Sequence, residues 1–489
     1  MCAYGLLLRR LLPALVIAGI AITPSFSSEP RGVSYMLLEG STLTDDCPIC
    51  GRPTIIMPMR GTFQLVFREE NPLFTTYDVQ EIAFHAPPGA PTYKATGEGT
   101  YEIGGEVALV QRMQLTAQIN DRKGVELKSD YVPLQRFWPM IEIDIREPDD
   151  PPNPLQVFYM HIVAAPVREV WFSTGVGLTS ASLNQRVSDG DLLSHTGRIV
   201  KTNQELVGRL GIMPMVPDLG LDAFDVAPGG EALFSIEENI FSETLGPLQH
   251  GDILSDKGRI VRRNQDLISP FGPMLPIPHV GLDAVQMMKD GEILFSIEGD
   301  VFSEKLGVCL GRGDILSEKG TVFRTNKELL AKLEPSNLQG DAGLDALHVW
   351  PNGEIWFSTE ISFESKRFGH VGQGDLLSDG GWIIFRNLDI LQPFAPLEDL
   401  ADFDFDALFL VTEDESQEPR IADAQIIVDA ESGDVWIEWL SNAKVFQVEQ
   451  ADEPGGPYFP IGFIFPGTDF LDPAAALGKT KSFYRIREW

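Results

Sequence analysis

The sequence predicts an all-β chain. At its centre is a β-propeller-like tandem repeat, flanked by an N-terminal β-sandwich or barrel and a small C-terminal β-sandwich module. Three observations predict this. One motif recurs four times at a period near sixty residues. Each copy reads as two short hairpins, and Val, Ile, Phe and Thr fall in short runs between turn residues. A chain of 489 residues is too long for one ordinary domain, and 43% hydrophobic residues suffice for packed cores.

Residues 1–28 read as a signal peptide. Arg9 and Arg10 form its basic start, Leu11 to Ile22 its apolar run, and Ser25-Phe26-Ser27 its small-residue cleavage site. A membrane span needs roughly 20 apolar residues, and this run is shorter. The expectation is an exported protein, periplasmic, cell-surface or secreted, with no membrane span after cleavage.

Residues 29–153 read as an independent antiparallel β domain. Residues 61–67 (Gly-Thr-Phe-Gln-Leu-Val-Phe) and 140–145 (Met-Ile-Glu-Ile-Asp-Ile) carry an apolar–polar alternation. Cys47 and Cys50 lie in Asp-Asp-Cys-Pro-Ile-Cys-Gly. In an exported chain a local disulfide is the first reading. Zinc comes second, because two further ligands are missing. Redox chemistry comes third, because Gly51-Arg52-Pro53-Thr54 disfavours the helix such a motif needs. Residues 149–154, Asp-Asp-Pro-Pro-Asn-Pro, read as a linker.

The repeat occupies residues 154–411. Its Gly-Asp-(Leu/Ile)-Leu-Ser aspartates are Asp191, Asp252, Asp314 and Asp375, so the steps are 252−191=61, 314−252=62 and 375−314=61. Phe-Ser pairs start at Phe172, Phe234, Phe295 and Phe357. Asparagines recur at Asn203, Asn264, Asn326 and Asn387, and Asp-Ala at Asp222, Asp283, Asp345 and Asp406. Gly229-Gly230, Asp290-Gly291 and Asn352-Gly353 suit the first hairpin turn. Gly197, Gly258, Gly320 and Gly380 suit the second. The asparagines read as caps of one-turn helices, each ended by a proline such as Pro270, Pro335 or Pro393.

A two-hairpin unit cannot bury both faces alone, so units must stack. Aligned without gaps, the first unit has Met160 in place of the Asp of Asp-Ala, and the last Asp-Ala is followed by no second hairpin. A ring completed by strands from both ends explains the paired deficits. An open stack or a five-bladed ring with one degenerate blade are the alternatives.

Residues 412–489 hold further strands, at 434–439, 445–449 and 483–487. Glu413-Asp414-Glu415-Ser416-Gln417-Glu418-Pro419 marks the boundary before them. The words Gly-Leu-Asp-Ala-Leu, Asn-Gly-Glu-Ile-Trp-Phe-Ser and Arg-Thr-Asn-Lys-Glu-Leu-Leu resemble a repeat of exported bacterial proteins regarded as propeller-like. The Cys47–Cys50 domain resembles a module that accompanies it. Gln447-Val448-Glu449 and Phe483-Tyr484-Arg485-Ile486 resemble fibronectin type III-like modules of bacterial surface proteins. The resemblance implies fold and compartment and carries over no catalytic residue.

The formal charge of −33 becomes −35 once Arg9 and Arg10 leave, which excludes nucleic acid as a partner. Neither zinc-protease, serine-hydrolase, P-loop nor dinucleotide-binding signatures occur. No catalytic or cofactor-binding residue is assigned, and the chain reads as non-enzymatic. His250 and His370 read as loop histidines. Asp191, Asp252, Asp314 and Asp375 read first as loop residues bonded to local backbone, and second as a Ca²⁺ ring. The same structural reading is given to Asp222, Asp283, Asp345 and Asp406. Asp402 to Asp406 mimics the start of a calcium loop but reads as a strand with one acidic face. Trp171, Trp356, Phe234 and Phe295 read as packing between blades rather than a sugar platform. The expected function is a monomeric, non-catalytic binding or scaffold protein. Loops 242–249 and 303–311 would face an extracellular protein or glycan. A glycan hydrolase or lyase using acids at a ring mouth, and a Ca²⁺-stabilised structural protein, are the alternatives.

Overall fold

Short strand-forming runs closed by turn residues pair with their sequence neighbours, and antiparallel sheets result throughout. The computed structural model describes residues 32–87, 90–214, 218–398, 403–413, 421–429, 431–477 and 481–489. The expected signal peptide, Asp402 and the acidic stretch from Asp414 lie outside the described residues. Among the described residues no helix is long and apolar enough to cross a membrane.

Eleven N-terminal strands form one antiparallel sheet. Its order is Val33–Leu37, Arg60–Glu70, Phe74–His85, Lys94–Gly104, Val110–Ile119, Arg122–Lys128, Ile141–Arg146, Val157–Ala165, Thr42–Asp46 and Ile55–Pro58, with Val132–Pro133 beside Val110–Ile119. The expected sandwich or barrel is corrected to a single sheet branched at Val157–Ala165. Residues 157–161 of that strand pair with Thr42–Asp46, and Ala164 and Ala165 pair with Val33–Leu37. Two consecutive strands thus share one edge of a long strand, a non-local pairing that no alternation pattern encodes. Alternate residues such as Phe63, Leu65, Met113, Leu115, Ile141 and Ile143 fill one core. Tyr77 and Tyr101 stack on Trp138 inside it. Cys47 and Cys50 are disulfide-bonded just after Thr42–Asp46. The chain leaves this sheet at Pro166, somewhat beyond the 149–154 segment.

The repeat units are four antiparallel sheets of four strands. The second sheet is Phe224–Ala227, Glu231–Phe234, Ile253–Ser255 and Arg259–Arg262. The third is Val285–Met287, Ile293–Phe295, Ile315–Ser317 and Thr321–Arg324. The fourth is Leu347–Val349, Ile355–Phe357, Leu376–Ser378 and Trp382–Phe385. The first sheet takes Val167–Phe172, Leu192–Ser194 and Arg198–Lys201 from its own unit and its remaining strand, Leu408–Thr412, from the far end of the repeat. Trp171 lies opposite Phe409 and Phe172 opposite Leu408 in that pairing. The strands 224–227, 285–287, 347–349 and 408–412 lie side by side in this order, and the last meets the first. Met160 therefore belongs to the N-terminal sheet, and the missing Asp of the first unit is supplied as Asp406.

Turn chemistry follows the sequence with one correction. Gly197, Gly258 and Gly320 have φ of +84°, +77° and +75°, but in the fourth unit the left-handed residue is Gly381 (φ +88°), not Gly380. The asparagines are not caps either. Thr202 and Thr325 cap their helices through capping boxes with Glu205 and Glu328. The asparagine behind each cap is buried and tied to loops. The stretches 242–249 and 303–311, expected as loops, are largely hairpin: Ile240–Ser242 pairs with Gly246–Leu248, and Val301–Ser303 with Val308–Leu310. Leu178–Ser180 with Gln185–Val187 and Phe363–Ser365 with Gly369–Val371 complete a set of four. Trp171, Trp356, Phe234 and Phe295 are fully buried, inside cores shared by neighbouring sheets.

Two cycles of serine hydroxyls join the units. The Phe-Ser serines donate to a carbonyl of the next unit: Ser173 to Leu221 (2.7 Å), Ser235 to Leu282 (3.3 Å), Ser296 to Leu344 (3.1 Å) and Ser358 to Phe405 (2.9 Å). The hairpin serines do the reverse, Ser242 to Leu210, Ser303 to Phe271, Ser365 to Leu333 and Ser180 to Phe394. The last bond of each cycle joins the fourth unit to the first. The C-terminal residues form two three-stranded sheets around Ile437, Trp439, Phe446 and Val448. Lys444 pairs with Asp225 of the second sheet (3.1 Å), and Arg136 of the N-terminal region with Glu354 of the fourth (2.5 Å).

Ser173 also accepts from the Ala407 N–H (2.8 Å). Ser173→Ala leaves two buried backbone groups without partners and should lower stability by roughly 3 kcal/mol in urea unfolding. A loss below about 0.5 kcal/mol would show that the hydroxyl cycle carries no weight.

Candidate functional site: an acidic well

Chain direction places one kind of residue at each end of the four sheets. In the second, third and fourth units the first two strands meet at tight turns such as Gly229-Gly230, Asp290-Gly291 and Asn352-Gly353, at one end. At the other end lie the Asp-Ala aspartates, the four short helices and the four hairpins. Each Asp-Ala aspartate sits two residues ahead of a strand that borders the common axis.

The two aspartate series have opposite surroundings. Asp191 accepts from the N–H groups of Asn203 (2.9 Å) and Ser188 (3.0 Å). Asp252 accepts from Asn264 (2.9 Å) and Gln249 (3.2 Å). Asp314 accepts from Asn326 and Gly311, both 2.9 Å. Asp375 accepts from Asn387 (3.0 Å) and Gly372 (3.1 Å). Both oxygens of every carboxylate are thus engaged by local backbone, which leaves a metal little to bind. The asparagines extend the network inward: the Nδ2 groups of Asn203, Asn264 and Asn387 donate to the carbonyls of Gly220 (3.1 Å), Gly281 (2.8 Å) and Phe403 (2.8 Å).

Asp222, Asp283 and Asp345 differ. Their Oδ2 atoms are buried and have no hydrogen-bond partner, which corrects the expectation of local backbone bonds. Asp345 is only 7% exposed. Burial pushes all four of this series well above the usual carboxylate range, and neighbouring acids add to it. Asp222 faces Glu237, Glu298 and Asp406; Asp283 faces Asp345 and Glu298; Asp345 faces Asp406 and Glu360. The four carboxyls therefore sense one another around the axis. Residues 403–407 form no strand, so the acidic strand expected there is absent; Phe403 and Phe405 are buried.

A second tier surrounds the first. Glu237, Glu298 and Glu360 follow the Phe-Ser pairs at equivalent positions. Glu237 reaches the surface, yet partial desolvation and then Asp189 and Asp218 push it up to about 7. Glu360 is also held at about 7, by desolvation first, although Arg312 pairs with it at 2.6 Å and opposes the shift. Asp218 is pushed up to about 6 by desolvation and by its hydrogen bond with Asp189. His250 lies 3.2 Å from Glu298. His370 faces Glu364 of its own hairpin at 3.3 Å, away from this tier.

No protein-family model and no curated protein matches the chain. Among solved structures it is similar to the extracellular domain of a protein described as a hybrid two component system, from B. thetaiotaomicron. Identity is 9%, coverage is 87% of this chain and 74% of that one, and the TM-score of 0.19 carries no argument.

The raised carboxyls set a direction for stability. A group whose folded pKa lies above its unfolded value stabilises most below the unfolded value, and that contribution is lost as pH rises through the folded value. With Glu237 and Glu360 near 7, the melting temperature of the ligand-free protein should fall between pH 5 and pH 8. Glu360→Gln should flatten the fall. A melting temperature that rises over this range would contradict the assignment.

Proposed function

We propose that the four sheets form a four-bladed β-propeller in an exported, non-catalytic binding protein, and that its acidic end holds a positively charged ligand. The observation that carries this reading is the ring of Asp222, Asp283, Asp345 and Asp406, with buried oxygens that lack partners in three of them. Burying carboxylates without compensation is expensive, so a fold that gathers four at one axis does so for a reason other than packing. The hairpins at the same end would form the rim that meets an extracellular partner. Residues 29–153, 154–411 and 412–489 would act as an accessory β domain, the binding ring and a fibronectin type III-like spacer, after removal of residues 1–28 as a signal peptide.

One observation favours a second reading, a glycan hydrolase or lyase. Carboxyls held near neutrality, as at Glu237 and Glu360, suit general acid work. Release of reducing sugar from a polysaccharide panel, abolished by Glu237→Gln, would favour it; no release from any member would remove it.

The binding reading is tested by thermal shift at pH 7.5 against Ca²⁺, Mg²⁺, lysine and spermidine. At least one cation should raise the melting temperature of the native protein and of Asp290→Asn, which lies in a turn at the opposite end. Asp345→Asn should remove the shift. Equal shifts in both variants, or none with any cation, would overturn the reading.

A further inference from the structure

The second tier of acids holds an internal exchange. In three units a glycine stands two residues before the axial aspartate, at Gly220, Gly281 and Gly343, and a glutamate follows the Phe-Ser pair. A methyl group on those glycines would meet the carboxyl carbons of Glu237, Glu298 and Glu360 at 2.2, 2.0 and 2.1 Å. Where the first and fourth units close the ring, the pattern is reversed. The glutamate position is Gly175 and the glycine position is Asp404. A methyl on Gly175 would meet Asp404 Cβ at 3.0 Å and Asp406 Oδ2 at 3.3 Å. The acid has moved from the segment after the Phe-Ser pair to the segment before the axial aspartate, and the place it fills has stayed the same. Space alone would accept any small side chain there, so the exchange keeps a negative charge rather than a shape.

The well thus holds Asp222, Asp283, Asp345 and Asp406 inside and Glu237, Glu298, Glu360 and Asp404 outside. Arg312 pairs with Glu360 and also acts on Asp345, and His250 lies against Glu298. The side nearest Glu237 has acids instead, Asp189 and Asp218. The carboxyls are spread around and along the axis: among the described residues no three metal-ligating side chains gather closely enough to hold one ion. A matching ligand carries several positive charges, separated from one another. We propose that the well takes a linear di- or polyamine. One ammonium group would sit among the axial aspartates against Asp345, and another on the open side against Glu237. This rests on the cation-binding reading above and names the ligand class.

The experiment is isothermal titration of the full-length mature protein, at pH 7.5 and low salt, with spermidine, putrescine, n-butylamine and Ca²⁺. Spermidine should bind at least about tenfold more tightly than n-butylamine, since the second charge adds a separate ion pair. Asp345→Asn should weaken both amines. Glu237→Gln, a substitution at a surface-reaching side chain, should weaken spermidine about fivefold and leave n-butylamine unchanged. Ca²⁺ binding that is lost in Asp345→Asn, with no amine bound, would overturn the polyamine proposal and leave the cation-binding reading standing. Absence of binding by all four probes would overturn both. Equal affinities for spermidine and n-butylamine would overturn the two-point arrangement.

Discussion

The hydroxyl that each Phe-Ser serine donates to its neighbour is the constraint on which the rest depends. The carbonyls it reaches belong to Leu221, Leu282, Leu344 and Phe405, and the next residue in every case is an axial aspartate. The same bond that holds one unit to the next therefore fixes where a carboxyl stands. Leu408–Thr412 returns to the first sheet and brings Asp406 with it. Acidic well and closed cycle are one arrangement, since neither series is complete without the residues from the repeat's far end.

Electrostatics and packing pull in opposite directions at that axis. Leucine, phenylalanine and tryptophan side chains between the sheets are fully buried and supply the favourable term. The axial carboxyls oppose it, because each loses water and gains like-charged neighbours. Asp191 and its equivalents resolve the same problem differently, by accepting two backbone N–H bonds each. Their asparagine partners then tie the loop that leads into the next axial aspartate. One aspartate series builds the support, and the other is held by it in a state that protons or a cation would relieve.

Much of this was legible in the residues. Four markers with one period revealed the units, and the deficits at Met160 and after Asp406 pointed to strands shared between the ends. Which aspartates matter was not legible. Both series recur in every unit, and only hydrogen-bond partners some twelve residues away separate a satisfied carboxylate from an unsatisfied one. A signal was present in Glu237, Glu298 and Glu360, which keep the period but answer no packing need. The asparagines looked like caps because they stand beside the true ones, Thr202 and Thr325. The N-terminal alternation predicted strands but not their branching, since Val33–Leu37 meets a strand from the other end of its domain.

The central claim is that the axial carboxyls are gathered and desolvated, and are held well above the usual carboxylate range until a cation relieves them. Infrared difference spectroscopy of the ligand-free protein, titrated from pH 4 to pH 8, tests it most directly. The account predicts a protonated-carboxyl stretch that outlasts the exposed carboxyls as pH rises and that weakens when Asp222, Asp283, Asp345 and Asp406 are all changed to Asn. A stretch that vanishes together with the exposed carboxyls, or that is unchanged in the variant, in a protein that is folded, would contradict it.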